Sequence, residues 1–159
     1  MSPKADDAWR IVEDDLSGAP IRALLERHFA AMLANSPAGS CHFLDFEGLK
    51  GPDVTFWSIH RGGDLAGCGA LKMLDAHHGE IKSMRTAEAF LRQGVAARML
   101  AHVMAEAKAR GAGRLSLESG SGAAFEPAHA LYRRYGFEEC EPFADYKSDP
   151  FSRFMTRTL

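Results

Sequence analysis

Cysteine is scarce in this chain of 159 residues: Cys41, Cys68 and Cys140 are odd in number and far apart, with no C-x-x-C pair among them. That spacing argues against a disulfide framework and against a zinc site built on thiolates. Long apolar runs are missing too. No uncharged stretch has the length of a secretory signal or a membrane span, and Lys4, Asp6, Asp7 and Arg10 crowd the first ten residues. Excess charge of either sign is lacking: the formal net charge is −2, so no global field draws DNA or an anionic membrane. Arg133 and Arg134 read as a solvated helix face. His77-His78 comes without H-E-x-x-H or a third ligand at metal spacing, and both read as exposed turn residues. Repeats and low-complexity segments are absent, as are the dinucleotide fingerprint G-x-G-x-x-G and the P-loop G-x-x-x-x-G-K-S/T. The expectations left are a reducing cytoplasm, no metal, no nucleic-acid partner and no membrane.

What is present suffices for one sizeable core. With 46% apolar and 25% charged residues, the chain is long enough for one domain, residues 1–159, and too short for two ordinary ones. Residues 9–13 suit a strand. Residues 20–35 suit a helix, with Ser17 near its start and Ile21, Leu24, Leu25, His28, Phe29, Met32 and Leu33 at helical spacing. Residues 43–50 suit a short helical turn, and 54–60 and 65–74 a hairpin around Gly62-Gly63. A strand over 80–86 follows a polar turn. Residues 94–110 suit a helix striped by Val95, Met99, Val103 and Ala107, 115–118 a strand, and 127–135 a helix entered through Pro127. Residues 137–143 and 151–158 complete the pattern as strands. Strands in the middle with helices between the later ones predict an α/β or α+β fold, a mixed sheet covered by helices.

The most telling stretch runs from the strand at Glu80 to the glycine that opens the second long helix. Gly94 removes a Cβ where the backbone would approach an anion. The helix that follows turns unpaired N–H groups and its positive dipole end toward that spot. A phosphorylated ligand is predicted there. On an extended strand Glu80, Lys82, Met84 and Thr86 share one face and Ile81, Ser83 and Arg85 the other; the pattern leaves open which is buried. Cys68, between Gly67 and Gly69, reads as a small residue where a strand bends or packs closely.

Two segments carry a family resemblance. Arg92-Gln93-Gly94-Val95-Ala96, together with Leu131-Tyr132-Arg133-Arg134-Tyr135-Gly136-Phe137, resembles the two signatures of the GNAT N-acetyltransferases, and the likeness covers residues 80–137. The first signature departs from the family at its leading polar position, here Leu91, for which Arg92 offers a substitute charge. The second is complete at Leu131, Tyr132, Gly136 and Phe137, but Phe125 stands where the family often has an Asn that contacts the CoA arm.

The resemblance implies the GNAT fold, a mixed, mostly antiparallel sheet of six to seven strands flanked by helices, and acetyl-CoA as co-substrate. It implies backbone contacts to the pyrophosphate from Leu91, Arg92, Gln93, Gly94, Val95 and Ala96, and to the pantetheine arm and thioester from Met84, Arg85 and Thr86. It makes Tyr132 the acid that protonates the leaving thiolate, against the plainer reading of a tyrosine packed beneath the cofactor. It also puts Glu80, fourteen positions before Gly94, at the offset of the catalytic glutamate of histone-type members, against the plainer reading of a Glu paired with Lys82. Arg85 has a further reading as a bidentate partner of an acceptor carboxylate, and His129, one helical turn before Tyr132, is a lesser proton-transfer candidate. The implied activity is acetyl transfer to a primary amine of a small molecule, an amino acid among the candidates, by direct attack in a ternary complex, from a homodimer. A protein N-terminal or lysine acetyltransferase and a non-catalytic acyl-CoA sensor are the competing classes.

Overall fold

The structure, a computed structural model, describes residues 8–40 and 42–159, so Cys41 lies outside the described residues. Seven strands form one sheet in the order β1-β2-β3-β4-β5-β7-β6. They are β1 Trp9–Glu13, β2 Val54–Arg61, β3 Asp64–Met73, β4 His78–Thr86, β5 Arg114–Ser119, β6 Glu138–Glu139 and β7 Arg153–Thr158. Every pairing is antiparallel except β4 with β5. Four helices flank the sheet, α1 Ala19–Asn35, α2 Phe46–Leu49, α3 Val95–Ala109 and α4 Glu126–Arg134.

Alternation along the strands sends side chains into two cores. Trp57, Ile59, Leu71, Ile81, Leu115 and Leu117 pack with Val95, Met99, Leu100 and Val103 of α3 and with Leu131 and Tyr132 of α4. On the other face, Phe56, Cys68 and Ala70 meet Ile21, Leu24 and Leu25 of α1 and Leu49 of α2. Fully buried side chains such as Leu25 and Leu100 contribute about 1.5–3 kcal/mol each.

The elements fall close to where periodicity puts them, with three differences. Helix α1 begins at Ala19 behind Gly18, because the Ser17 hydroxyl is spent on Asp15 (2.6 Å) and does not cap the helix. Strand β4 starts earlier than expected. His78 is therefore no exposed turn residue: its carbonyl accepts from Leu74 N–H at 2.8 Å and its Nε2 meets Ser116 Oγ at 2.7 Å. The strand expected over 137–143 shrinks to Glu138–Glu139. Beyond it Phe143 and Tyr146 turn inward and pack edge-on or tilted against Phe154 at 5.9 and 5.6 Å, so aromatic packing replaces ladder pairing.

The expected face pattern of β4 breaks at Ser83. Lys82 opposes Ala70 and Arg85 opposes Cys68, so Ser83 and Met84 together face Gly69, a bulge centred on Ser83 with φ 54°. Glu80 and Lys82 remain on the α1 face, whereas Met84 crosses to the α3 face. A Cβ on Gly69 would lie 2.8 Å from Met84 Sδ and 2.6 Å from Met99 Cγ.

Candidate active site

The parallel pairing of β4 and β5 covers only three positions, His78 with Arg114, Gly79 with Leu115 and Glu80 with Ser116. Past these the strands part, because the bulge at Ser83 bends β4 away, and a cavity of about 310 Å³ occupies the opening. Met84 and Arg85 line it from β4, Leu117 and Glu118 from β5, and Phe125 and Tyr132 from the opposite end.

At the end of β4 a helical turn at Glu88–Phe90 leads to the exposed loop of Leu91, Arg92, Gln93 and Gly94. Arg92 (φ 64°) and Gly94 (φ 80°) are both left-handed, and Gly94 caps α3 with no side-chain hydrogen bond. The first ladder bond runs from Arg98 N–H to Gly94 O at 3.1 Å. The amides of residues 93–97 consequently donate to no described backbone or side-chain acceptor. Such a concavity of N–H groups at a helix N-terminus is an anion cradle. Arg61, which reaches Gln93 Oε1 at 3.5 Å, adds positive charge beside exposed Arg92. Gly67 seats the cradle against the cleft. A Cβ there would lie 2.7 Å from Arg85 O and 2.8 Å from Val95 Cγ1, so its absence lets the first turn of α3 close on the end of β4.

Tyr132 is 7% exposed, its ring edge-on to Phe137 at 5.7 Å, and burial pushes its phenol up to about 12. Phe125 packs edge-on against Phe151 at 5.6 Å. Glu118 is the residue that sequence reasoning missed. Burial pushes its carboxyl up to about 7, outweighing the downward pull of the Ser152 hydroxyl and the Lys82 ammonium. Its signal was a lone carboxylate ending the short strand Leu115-Ser116-Leu117, a position that alternation aims at the α1 face rather than at water.

Glu80 lies elsewhere. It is 2% exposed, accepts from Tyr146 Oη at 2.5 Å and pairs with Lys82 Nζ at 3.1 Å, and it lines a second cavity of about 880 Å³ bordered by Ala38, Gly39, Ser40, His42 and residues 144–149. The plainer reading, a Glu paired with Lys82, is what its surroundings contain. His42 and Lys82 border both cavities. His129 is not among the residues lining the smaller cavity; its Nε2 meets Ser119 Oγ at 3.2 Å and burial lowers its pKa. Cys68 is buried with its thiol donating to Ser83 O at 3.2 Å, and burial pushes it up to about 12.

Residues 17–137 match the family model described as the acetyltransferase (GNAT) family. The chain belongs to the GNAT acetyltransferases. Its GNAT relatives include the uncharacterized N-acetyltransferase YsnE of Bacillus subtilis (strain 168), 56% identical over 92% of this chain and 97% of that protein. The uncharacterized N-acetyltransferase YedL of Escherichia coli (strain K12) is 52% identical over 95% of each. Among solved structures, a GNAT acetyltransferase from Elizabethkingia anophelis with acetyl-CoA bound superposes with a TM-score of 0.67 at 18% identity, covering 96% of this chain and 99% of that one. The sheet expected of a GNAT member, mixed and mostly antiparallel with helices on both faces, is the sheet observed here. Among the described residues no group of three or more His, Cys, Asp or Glu is placed to hold a metal ion, and no helix is long and apolar enough to cross a membrane.

Proposed function

We propose that this acetyltransferase moves the acetyl group of acetyl-CoA to the primary amine of a small molecule, by direct attack in a ternary complex. One observation carries the reading: the cavity between the parted strands is lined by both a buried phenol and a desolvated carboxylate, and Arg85 in its wall sits where the first turn of α3, with its unbonded amides, packs on the end of β4. In this reading the amides of residues 92–96 grip the CoA pyrophosphate, with Arg92 and Arg61 adding charge where Leu91 offers none. The backbone of Met84, Arg85 and Thr86 holds the pantetheine arm and polarises the thioester carbonyl. Phe125 replaces a polar contact to that arm with an apolar wall.

An alkylammonium cannot attack until it loses a proton. Glu118, poised near neutrality and lining the cavity that Tyr132 also lines, is the better placed carboxylate to take it; Glu80 is held by Lys82 and Tyr146 in the larger cavity. The amine nitrogen then bonds to the carbonyl carbon, the C–S bond breaks, and Tyr132 gives its proton to the departing thiolate, while the second proton that the nitrogen sheds on becoming an amide restores the phenol. A phenol near 12 is a weak acid for an ordinary thiol. The thiolate, however, forms in the same dry cleft, and desolvation raises its proton affinity as well.

The acceptor enters through the larger cavity, past His42 and Lys82. A thiol-release assay over a panel of amines, with acetyl-CoA supplied, tests the reading: turnover with one class of small amines is expected, and acetylation of peptides alone would refute it. A homodimer and a cytoplasmic location belong to the same reading, checked by sedimentation and by cell fractionation.

A further inference from the structure

The cleft contains one cation that no described residue neutralises. Lys82 is engaged by Glu80 at 3.1 Å and by the Tyr146 hydroxyl. Arg85 is half-buried in the wall of the 310 Å³ cavity and, among the described residues, makes no ion pair, side-chain hydrogen bond or cation–π contact. Its neighbour His28 lines the same cavity at 7% exposure, with Nδ1 lacking a hydrogen-bond partner. Burial first, and the Arg85 charge second, hold that imidazole down to about 4, so it stays neutral and adds no competing positive charge. A partly desolvated guanidinium left open toward a cavity is matched best by a carboxylate, which it grips through two parallel N–H bonds. On the other side of the cavity stands Glu118, the group assigned to receive an ammonium proton. The α1 side of the wall offers apolar surface in Met32 of α1 and Phe43 of the following loop, beside polar Asn35 and His42.

We propose that the acceptor is an amino acid with an apolar side chain, its carboxylate held by Arg85, its amine turned to Glu118 and its side chain against Met32 and Phe43. The assignment rests on the acetyltransferase reading above and narrows it. A zwitterion satisfies both walls at once, positive Arg85 and negative Glu118. A plain amine leaves the guanidinium without a partner. The reaction then releases an N-acetyl amino acid, free CoA and the proton taken from the ammonium group.

Paired acceptors that differ only in the carboxylate test this: phenylalanine against phenethylamine, and leucine against 3-methylbutylamine. Wild-type enzyme is expected to favour the amino acid by about 10²-fold or more in kcat/KM, the worth of one charge-assisted bidentate contact. In Arg85→Gln, whose backbone contacts to the cofactor persist, that ratio is expected to fall to within a few-fold of unity, with Arg85→Lys between. Calorimetric titration of phenylalanine and leucine into the enzyme–CoA complex gives a readout free of turnover: binding in the wild type, loss in Arg85→Gln. Equal use of both members of each pair, or a parallel loss of both in Arg85→Gln, overturns the acceptor assignment while leaving the acetyltransferase reading intact. If Arg85→Gln fails to fold, the wild-type ratios alone decide. Absence of acetyl-CoA binding in the same calorimeter sinks the acetyltransferase reading instead, and the assignment with it.

Discussion

At the scale of single residues, Tyr132 and Glu118 owe their raised pKa values to the same cause, burial in the wall of one cavity. Burial holds the phenol protonated at every working pH, which suits a donor. Tyr132→Phe keeps the ring and its contact with Phe137, so kcat is expected to fall by about 10²-fold or more with CoA affinity little changed. An unchanged kcat would remove the hydroxyl from the chemistry. Glu118 predicts two pH effects. With its carboxyl raised to about 7, kcat/KM should climb through an acidic limb near that pH, and Glu118→Gln should lose the limb along with most of the activity. Stability carries the opposite sign. Below about pH 4.5 folded and unfolded chains both hold the proton. Between that pH and 7 the unfolded chain releases it first, so the folded state loses up to about 3 kcal/mol as pH rises. Glu118→Gln should therefore melt about 5–10 °C above wild type at pH 8 and close to it at pH 5. Equal melting points at pH 8 would mean that the carboxyl is not desolvated.

At the scale of elements, the active site is a consequence of two backbone irregularities. The left-handed pair at Arg92 and Gly94 aims amides outward. Nothing lies within 4 Å of a Cβ built on Gly94, so Gly94→Ala meets no clash and acts through φ alone. It is expected to cost about 1–2 kcal/mol in stability, measured by denaturant unfolding, and to weaken CoA binding about 10-fold or more as the cradle flattens. The bulge at Ser83 is the second irregularity, and it explains what the sequence did and did not disclose. Helical stripes such as Val95, Met99 and Val103 were legible because burial enforces their period. Alternation holds in β2, where Trp57 and Phe56 part to opposite cores. In β4 the same rule misplaces Met84, since one extra residue inverts every face beyond it and local chemistry around Ser83 does not announce it. The glycine cradle and Tyr132 were readable from short motifs. Glu118 was not, because its raised pKa comes first from burial and then from the charges of Glu80 and Asp149, which no local window brings together.

At the scale of the whole molecule, the proposed cofactor cradle and the larger cavity lie apart: the cradle is at the N-terminus of α3, and the cavity opens on the α1 side, lined by Ala38, Gly39, Ser40, His42 and residues 144–149. Acetyl transfer between such sites goes either directly or through an acetylated enzyme group. The second route needs an accessible nucleophile at the junction. Cys68 is 1% exposed, raised to about 12, and absent from the walls of both cavities, and Cys140 lies outside them as well. Lys82 is tied to Glu80 and Tyr146. Direct attack within a ternary complex, the route proposed above, has a kinetic signature. Initial-rate lines for varied acceptor at several fixed acetyl-CoA concentrations should intersect, and incubation with acetyl-CoA alone should leave the intact protein mass unchanged. Parallel lines together with a gain of one acetyl group would mean that a side chain accepts the acetyl first, and the assignment of Glu118 as the base for the attacking amine would then apply only to the second half of the reaction.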